Sequence, residues 1–130
     1  MSNCFNPSLP RRMGLSTHVL DTSRGIPAAG IQVVLYQILF INPSGNNAEK
    51  FLCDDVTNQD GRVPELLPQD LLEAGATYRL HFKTAPYWEK DGLPKFFPFA
   101  DVVFTVEDTS RHYHVPLLMS SFGYSTYLGS

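Results

Sequence analysis

Hydrophobic and polar positions alternate in short runs along most of the chain, and clusters of Gly, Pro, Asn, Asp and Ser separate the runs. Leu15 to Asp21 reads as a strand, Arg24-Gly25-Ile26-Pro27 as a turn, and Ile31 to Ile41 as a second strand. After the break at Asn42 to Asn47, Glu49 to Thr57 is a third strand. It is closed by Asn58-Gln59-Asp60-Gly61, whose Asp-Gly pair favours a turn with positive φ. Thr77 to Lys83 alternates with Tyr78, Leu80 and Phe82 on one side and Arg79, His81 and Lys83 on the other, the pattern of a half-buried strand. Asp101 to Glu107, Arg111 to Met119 and Gly123 to Leu128 complete the set.

Two segments depart from this pattern. Leu66 to Glu73 is rich in Leu but broken by Pro64 and Pro68, which leaves one helical turn or an irregular strand. Ala85 to Gly92, with Pro86 near its start and a glycine at its end, predicts a short helix. Seven or eight short strands at regular spacing with one small helix describe an all-β sandwich. Residues 1 to 13 lack apolar periodicity and are expected to be a disordered N-terminal tail, leaving residues 14 to 130 as a single domain.

Composition narrows the function classes. Hydrophobic residues make up 43% and charged residues 18% of the 130 positions, so the chain can bury a core and is expected to fold. The net charge of -3 and the scattered Lys and Arg provide no cationic stripe, so no nucleic-acid partner is expected. No apolar run approaches the roughly 20 residues needed to cross a bilayer, so no membrane partner is expected either. The N-terminal residues lack the basic start and apolar stretch of a secretory signal, which predicts an intracellular protein. Cys4 and Cys53 form neither a disulfide framework nor a CxxC metal spacing, and both read as free thiols.

Candidate chemistry rests on histidines and one arginine. Strand alternation puts His112 and His114 on one face, with Tyr113 and Val115 on the other. Such a pair can chelate a metal, shuttle protons, or simply sit on a solvated face. A metal site would need a third imidazole, from His18 or His81. His18 shares its strand face with Ser16 and Leu20, and a lone histidine at that spacing reads as structural. Arg62, directly after the turn, is either an exposed charge or a clamp for an anion or a polarised carbonyl. Asp54-Asp55 and Glu107-Asp108 point to opposite strand faces and form no general acid/base pair. No GxSxG, P-loop, GxGxxG or HExxH is present.

Thr17-His18-Val19-Leu20-Asp21, Thr57-Asn58-Gln59-Asp60-Gly61-Arg62, His112-Tyr113-His114-Val115-Pro116-Leu117-Leu118 and Gly123 to Ser130 together resemble the 5-hydroxyisourate hydrolases of the transthyretin-like family. The resemblance covers residues 14 to 130 and implies a transthyretin-like sandwich of two four-stranded sheets with one short helix. It also implies a homotetramer, a dimer of dimers whose central channel holds the active sites. The implied reaction is hydrolysis of 5-hydroxyisourate to 2-oxo-4-hydroxy-4-carboxy-5-ureidoimidazoline, a step in urate degradation to allantoin, with no metal or organic cofactor. Carried over by resemblance, His18, Arg62, His114 and Ser130 are the catalytic residues, and these four with Tyr127 bind the substrate. His114 or His18 would be the base and Arg62 the stabiliser of developing charge.

The chain departs from the family ending Tyr-Arg-Gly-Ser at Leu128, within Tyr127-Leu128-Gly129-Ser130. If alternation continues to the end, Leu128 points away from the face of Tyr127 and Gly129; if the terminus curls inward, a charge is lost near the substrate. The alternative function is a non-catalytic transthyretin-like carrier of a small aromatic ligand. A metal-binding sandwich built on His18, His112 and His114 ranks below both. The compartment is expected to be cytoplasmic or peroxisomal, since Arg11 to Val19 has only a faint spacing likeness to an N-terminal peroxisomal address and the chain does not end in Ser-Lys-Leu.

Overall fold

A computed structural model describes residues 13–40 and 47–130, with nothing described of the Met13 side chain. The expected tail lies outside the described residues except at Met13, which opens a strand, and the end of the second strand at Ile41 lies outside them too. The strands are β1 (Met13–Asp21), β2 (Ile26–Pro27), β3 (Gln32–Phe40), β4 (Asn47–Val56), β5 (Arg62–Pro68), β6 (Thr77–Lys83), β7 (Ala100–Thr105), β8 (Tyr113–His114), β9 (Leu117–Ser120) and β10 (Gly123–Thr126). One α-helix, α1 (Ala85–Lys90), follows β6, and a single 3-10 turn, Gln69–Leu71, follows β5.

Two sheets face each other across the core. One runs β4-β3-β6-β7, all antiparallel. In the other, β5 pairs antiparallel with one edge of β1, β8 and β9 pair parallel with β1, and β10 pairs antiparallel with β9. The second sheet counts six strand segments and not four for two reasons. The short β2 folds back on the end of β1, and the run Arg111 to Met119 is split at Val115-Pro116. Proline has no N–H for the ladder, so β8 and β9 are two pieces of one strand path.

Alternation decides which side chains fill the space between the sheets. Along β1, Leu15, Thr17 and Val19 are fully buried, while His18 and Leu20 stay half-exposed on the outer face. Val33 and Leu35 of β3, Tyr78, Leu80 and Phe82 of β6, and Trp88 of α1 meet them in the core. Each fully buried side chain of this size stabilises by roughly 1.5–3 kcal/mol. The helix stops at Asp91, with Gly92 at φ +65° turning the chain away.

The leucine-rich segment, Leu66 to Glu73, is strand as far as Pro68 and then one 3-10 turn at Gln69–Leu71. As an edge strand β5 pairs with β1 and with no other strand among the described residues, so proline's missing donor is tolerated, and Val63, Leu66 and Leu67 enter the core. The free-thiol expectation is corrected at Cys53, which is buried and disulfide-bonded; Cys4 lies outside the described residues.

Candidate active site

The outer face of the β1-containing sheet carries the chemistry. Asn58 builds one side of it. Its Oδ1 accepts hydrogen bonds from the backbone N–H groups of Asp60 at 2.9 Å and Arg62 at 3.0 Å, and its backbone carbonyl accepts from Gly61 N–H at 2.8 Å. Gly61 sits at φ +74°, and a Cβ there would lie 2.4 Å from the Val19 carbonyl oxygen, so only glycine lets the turn press this closely on β1. Val19 N–H donates to the Gly61 carbonyl at 2.7 Å, and the register leaves Arg62 directly opposite His18.

The other side comes from the parallel pairing of β8 with β1, which sets Ser16 opposite His114. Val115 N–H donates to the Ser16 carbonyl at 3.0 Å, and the buried Thr17 hydroxyl donates to the Val115 carbonyl at 2.6 Å. Tyr113 and Val115 point into the core, so His112 and His114 project from the sheet. The Ser16 hydroxyl lies 2.8 Å from His112 Nε2 and 2.7 Å from His114 Nδ1.

The chain terminus closes the site. Gly129 forms a bridge with His114, donating its N–H to the His114 carbonyl at 2.7 Å. Arg111 ties this down, its Nε donating to the His112 carbonyl and its Nη2 to the Gly129 carbonyl, each at 3.1 Å, with the guanidinium 4.9 Å from the Tyr113 ring centre.

Two adjoining depressions result, and Arg62 borders both. One is lined by Ser16, Thr17, Arg62, Pro64, His112, His114 and Ser130, the other by His18, Leu20, Pro27, Asp60 and Arg62. The structure thus brings His18, Arg62, His114 and Ser130 to one face. Tyr127 lies elsewhere, in an apolar groove at the open edge of the sandwich that it shares with Leu128, Val102, Phe104 and Tyr113. Strand β10 ends at Thr126, so the alternation expected through Leu128 does not reach it, and both side chains border the same groove.

Both imidazoles are biased toward the neutral form. Burial lowers the His18 pKa, the Arg62 guanidinium lowers it further, and a hydrogen bond to the Asp60 backbone opposes both. Burial also lowers the His114 pKa, followed by the nearby His112, Arg62 and His18. A neutral imidazole beside a fixed guanidinium can accept a proton from water while the cation receives charge developing on an oxygen. Among the described residues, no three His, Cys, Asp or Glu side chains group as a metal would require.

Sequence reasoning left two participants out of the site, Ser16 and His112. The signal for Ser16 was its position two residues before His18 on the same strand face; for His112 it was the i, i+2 spacing to His114.

A sandwich whose one outer sheet face gathers two imidazoles, a guanidinium and the chain terminus belongs to the transthyretin-type folds. The model of the HIUase/Transthyretin family matches residues 15–129, and the chain belongs to that family. It is 45% identical to a 5-hydroxyisourate hydrolase of Salmonella dublin, over 89% of this chain and 80% of the relative. Among solved structures, the 5-hydroxyisourate hydrolase of Klebsiella pneumoniae is similar with a TM-score of 0.71 and 31% identity, covering 89% of this chain and 98% of that one. Transthyretin from Sparus aurata is similar with a TM-score of 0.75 and 28% identity, covering 91% and 97%. No helix among the described residues is long and apolar enough to cross a membrane.

Proposed function

We propose that this protein hydrolyses 5-hydroxyisourate, opening its ring as a cyclic amide hydrolase that uses only its own side chains. The observation that carries this reading is the registered pair His18 and Arg62 beside His114, with both imidazoles shifted toward the neutral form. His114 is the general base. Its imidazole takes a proton from a water molecule as the oxygen attacks a ring carbonyl. Arg62 donates to the carbonyl oxygen as that oxygen gains charge, and the ring C–N bond then breaks as the departing nitrogen recovers a proton from the imidazolium. His18, held by the Asp60 backbone, orients the heterocycle from the adjoining depression, and Ser130 borders the substrate at the chain end.

The depression around His114 measures about 260 Å³ and lies on a sheet face that its own chain does not cover. Pockets enclosing a small ligand are typically about 300–1,000 Å³ and bury most of it. A second copy of the chain facing this sheet would supply the missing wall, which supports a homotetramer with the sites in a central channel.

Mixing the protein with freshly generated 5-hydroxyisourate and following its ultraviolet absorbance tests the reading. Decay faster than the spontaneous rate, abolished by Arg62→Ala or His114→Ala with the fold retained, is the expected result. Decay at the spontaneous rate, with tight binding of an aromatic ligand, would leave the carrier.

A further inference from the structure

We propose that Ser16 and His112 form a proton relay with His114, His112 Nε2 to Ser16 Oγ to His114 Nδ1, that fixes the tautomer of His114 and carries the charge of its protonation away from the substrate. The proposal rests on His114 acting as the base of the hydrolysis above.

The geometry is specific. Ser16 Oγ stands 2.8 Å from one ring nitrogen and 2.7 Å from the other, and the two ring centres are 6.3 Å apart. Ser16 is only 4% exposed, so its hydroxyl is shielded from solvent. A hydroxyl carries one proton, so Ser16 donates to one ring and must accept from the other. If it donates to His114 Nδ1, then His114 carries its proton on Nε2 and has no lone pair left for the substrate side. If it donates to His112 Nε2, it accepts from His114 Nδ1–H, and His114 Nε2 is a free base. Only the second arrangement is competent. The Ser16 carbonyl and the Thr17 hydroxyl, each bonded to Val115, fix this register and set Ser16 Oγ between the two rings.

The relay balances. Water gives a proton to His114 Nε2, His114 Nδ1–H passes to Ser16 Oγ, and the Ser16 proton passes to His112 Nε2. Hydroxide adds to the carbonyl, and His112 becomes the imidazolium; the protons return along the same path to the leaving nitrogen. The titratable and charged groups that act on His114 are His112, just before β8, Arg62 on β5 and His18 on β1, and each disfavours a positive charge left on His114. Passing the proton to His112 takes the positive charge off the ring that Arg62 and His18 act on.

Ser16 is therefore a positioning residue, tested in two ways. Nitrogen-15 histidine spectra of the native protein near neutral pH should show His114 protonated on Nδ1, and in Ser16→Ala a mixture of tautomers. This readout does not depend on turnover. In kinetics, Ser16→Ala should lower kcat by about 10- to 100-fold with KM little changed, the scale of one hydrogen bond to a group that becomes charged. Ser16→Thr, which keeps the hydroxyl and suits a strand, should restore most of it. The dependence of kcat on deuterium fraction in the solvent should be curved in the native enzyme, reporting more than one proton in flight, and linear in Ser16→Ala and His112→Gln. A His114 protonated on Nε2 in the native protein, or Ser16→Ala with native kcat and a curved isotope dependence, overturns the relay. A native protein that does not accelerate the hydrolysis overturns the function proposed above, and the tautomer measurement still judges the geometry.

Discussion

Gly129→Ala tests whether the chain end is seated on His114 in the working enzyme. A Cβ added at Gly129 would lie 2.8 Å from His114 Cδ2, 3.1 Å from the His114 carbonyl oxygen and 3.3 Å from its Cβ. Carbon atoms in contact prefer about 3.5–4.0 Å, so a gap of roughly 0.7 Å or more has to open. The backbone at Gly129 is not in the left-handed region, so the effect is one of contact and not of strained φ. Strand β8 is held on β1 by the Ser16 and Thr17 bonds, whereas Tyr127 and Leu128 are 58% and 57% exposed. The chain end is the part that yields, or the imidazole turns. Displacing site groups by about 1 Å costs on the order of 100-fold in rate. The expected kcat is therefore about 10- to 100-fold below native, with global stability changed by less than about 1 kcal/mol because little core is disturbed. Turnover is read from the ultraviolet absorbance of 5-hydroxyisourate, and stability from a urea melt of the same preparation. A kcat within twofold of native would refute the seating of the terminus on His114.

Three further outcomes follow from the same geometry. Asp21 is fully buried; burial pushes its carboxyl up, but hydrogen bonds from the Arg24 side chain, Tyr87 and the Arg24 backbone outweigh that and hold it below the usual range. Asp21→Ala removes the 2.8 Å ion pair and the 2.9 Å Tyr87 bond while Arg24 keeps Asp91, and a urea melt should show a loss of about 1–3 kcal/mol; native stability would contradict it. His18 and His114 have folded pKa values below the unfolded value of about 6.5, so the unfolded chain binds more protons in between. Stability should fall as pH drops below about 6.5, kcat/KM should lose activity on the same side, and the slope should shrink in His18→Gln and His114→Gln; a flat profile from pH 7.5 to 5 refutes the assignment. Leu128→Arg places a cation in the edge groove away from the histidine depression, so kcat should stay within about twofold of native, and a large rise would place position 128 at the substrate.

The elements legible in the sequence were those in which burial alternates. Strand β6 was readable because Tyr78, Leu80 and Phe82 enter the core while Arg79 and His81 stay out, and β1 because Leu15, Thr17 and Val19 do the same. Strand β5 was obscured because prolines count against a strand unless it lies at an edge, and edge position is a property of the assembled sheet. The split of β8 from β9 follows from Pro116, yet nothing local states that both pieces run parallel to β1. Ser16 was passed over for the same reason. Its two partners are 96 and 98 residues away, and a serine in a strand gains meaning only once the parallel pairing sets it between two imidazoles.

That dependence explains why the segments resembling the hydrolases are longer than the chemistry needs. In Thr17-His18-Val19-Leu20-Asp21 only His18 brings a titratable group to the site, with Thr17 and Leu20 lining its walls. Thr17 pins β8 to β1 through Val115, Val19 fills the core and bonds Gly61, and Asp21 anchors Arg24 and Tyr87. In Asn58 to Arg62, Arg62 borders both depressions and Asp60 borders one. Asn58 caps the turn with its side chain, and Gly61 supplies the close approach that puts the guanidinium opposite His18. A chemical group reaches its place through neighbours that never touch substrate, and those neighbours tolerate substitution less than an exposed residue such as Leu128. Gly61→Ala makes the point quantitative: its Cβ would meet backbone at 2.4 Å, where no side chain can give way, at a φ that L residues rarely adopt. That variant should lose activity and about 1–3 kcal/mol of stability together, whereas Arg62→Ala should lose activity alone. Equal stability losses for the two would show that the turn does not set the arginine.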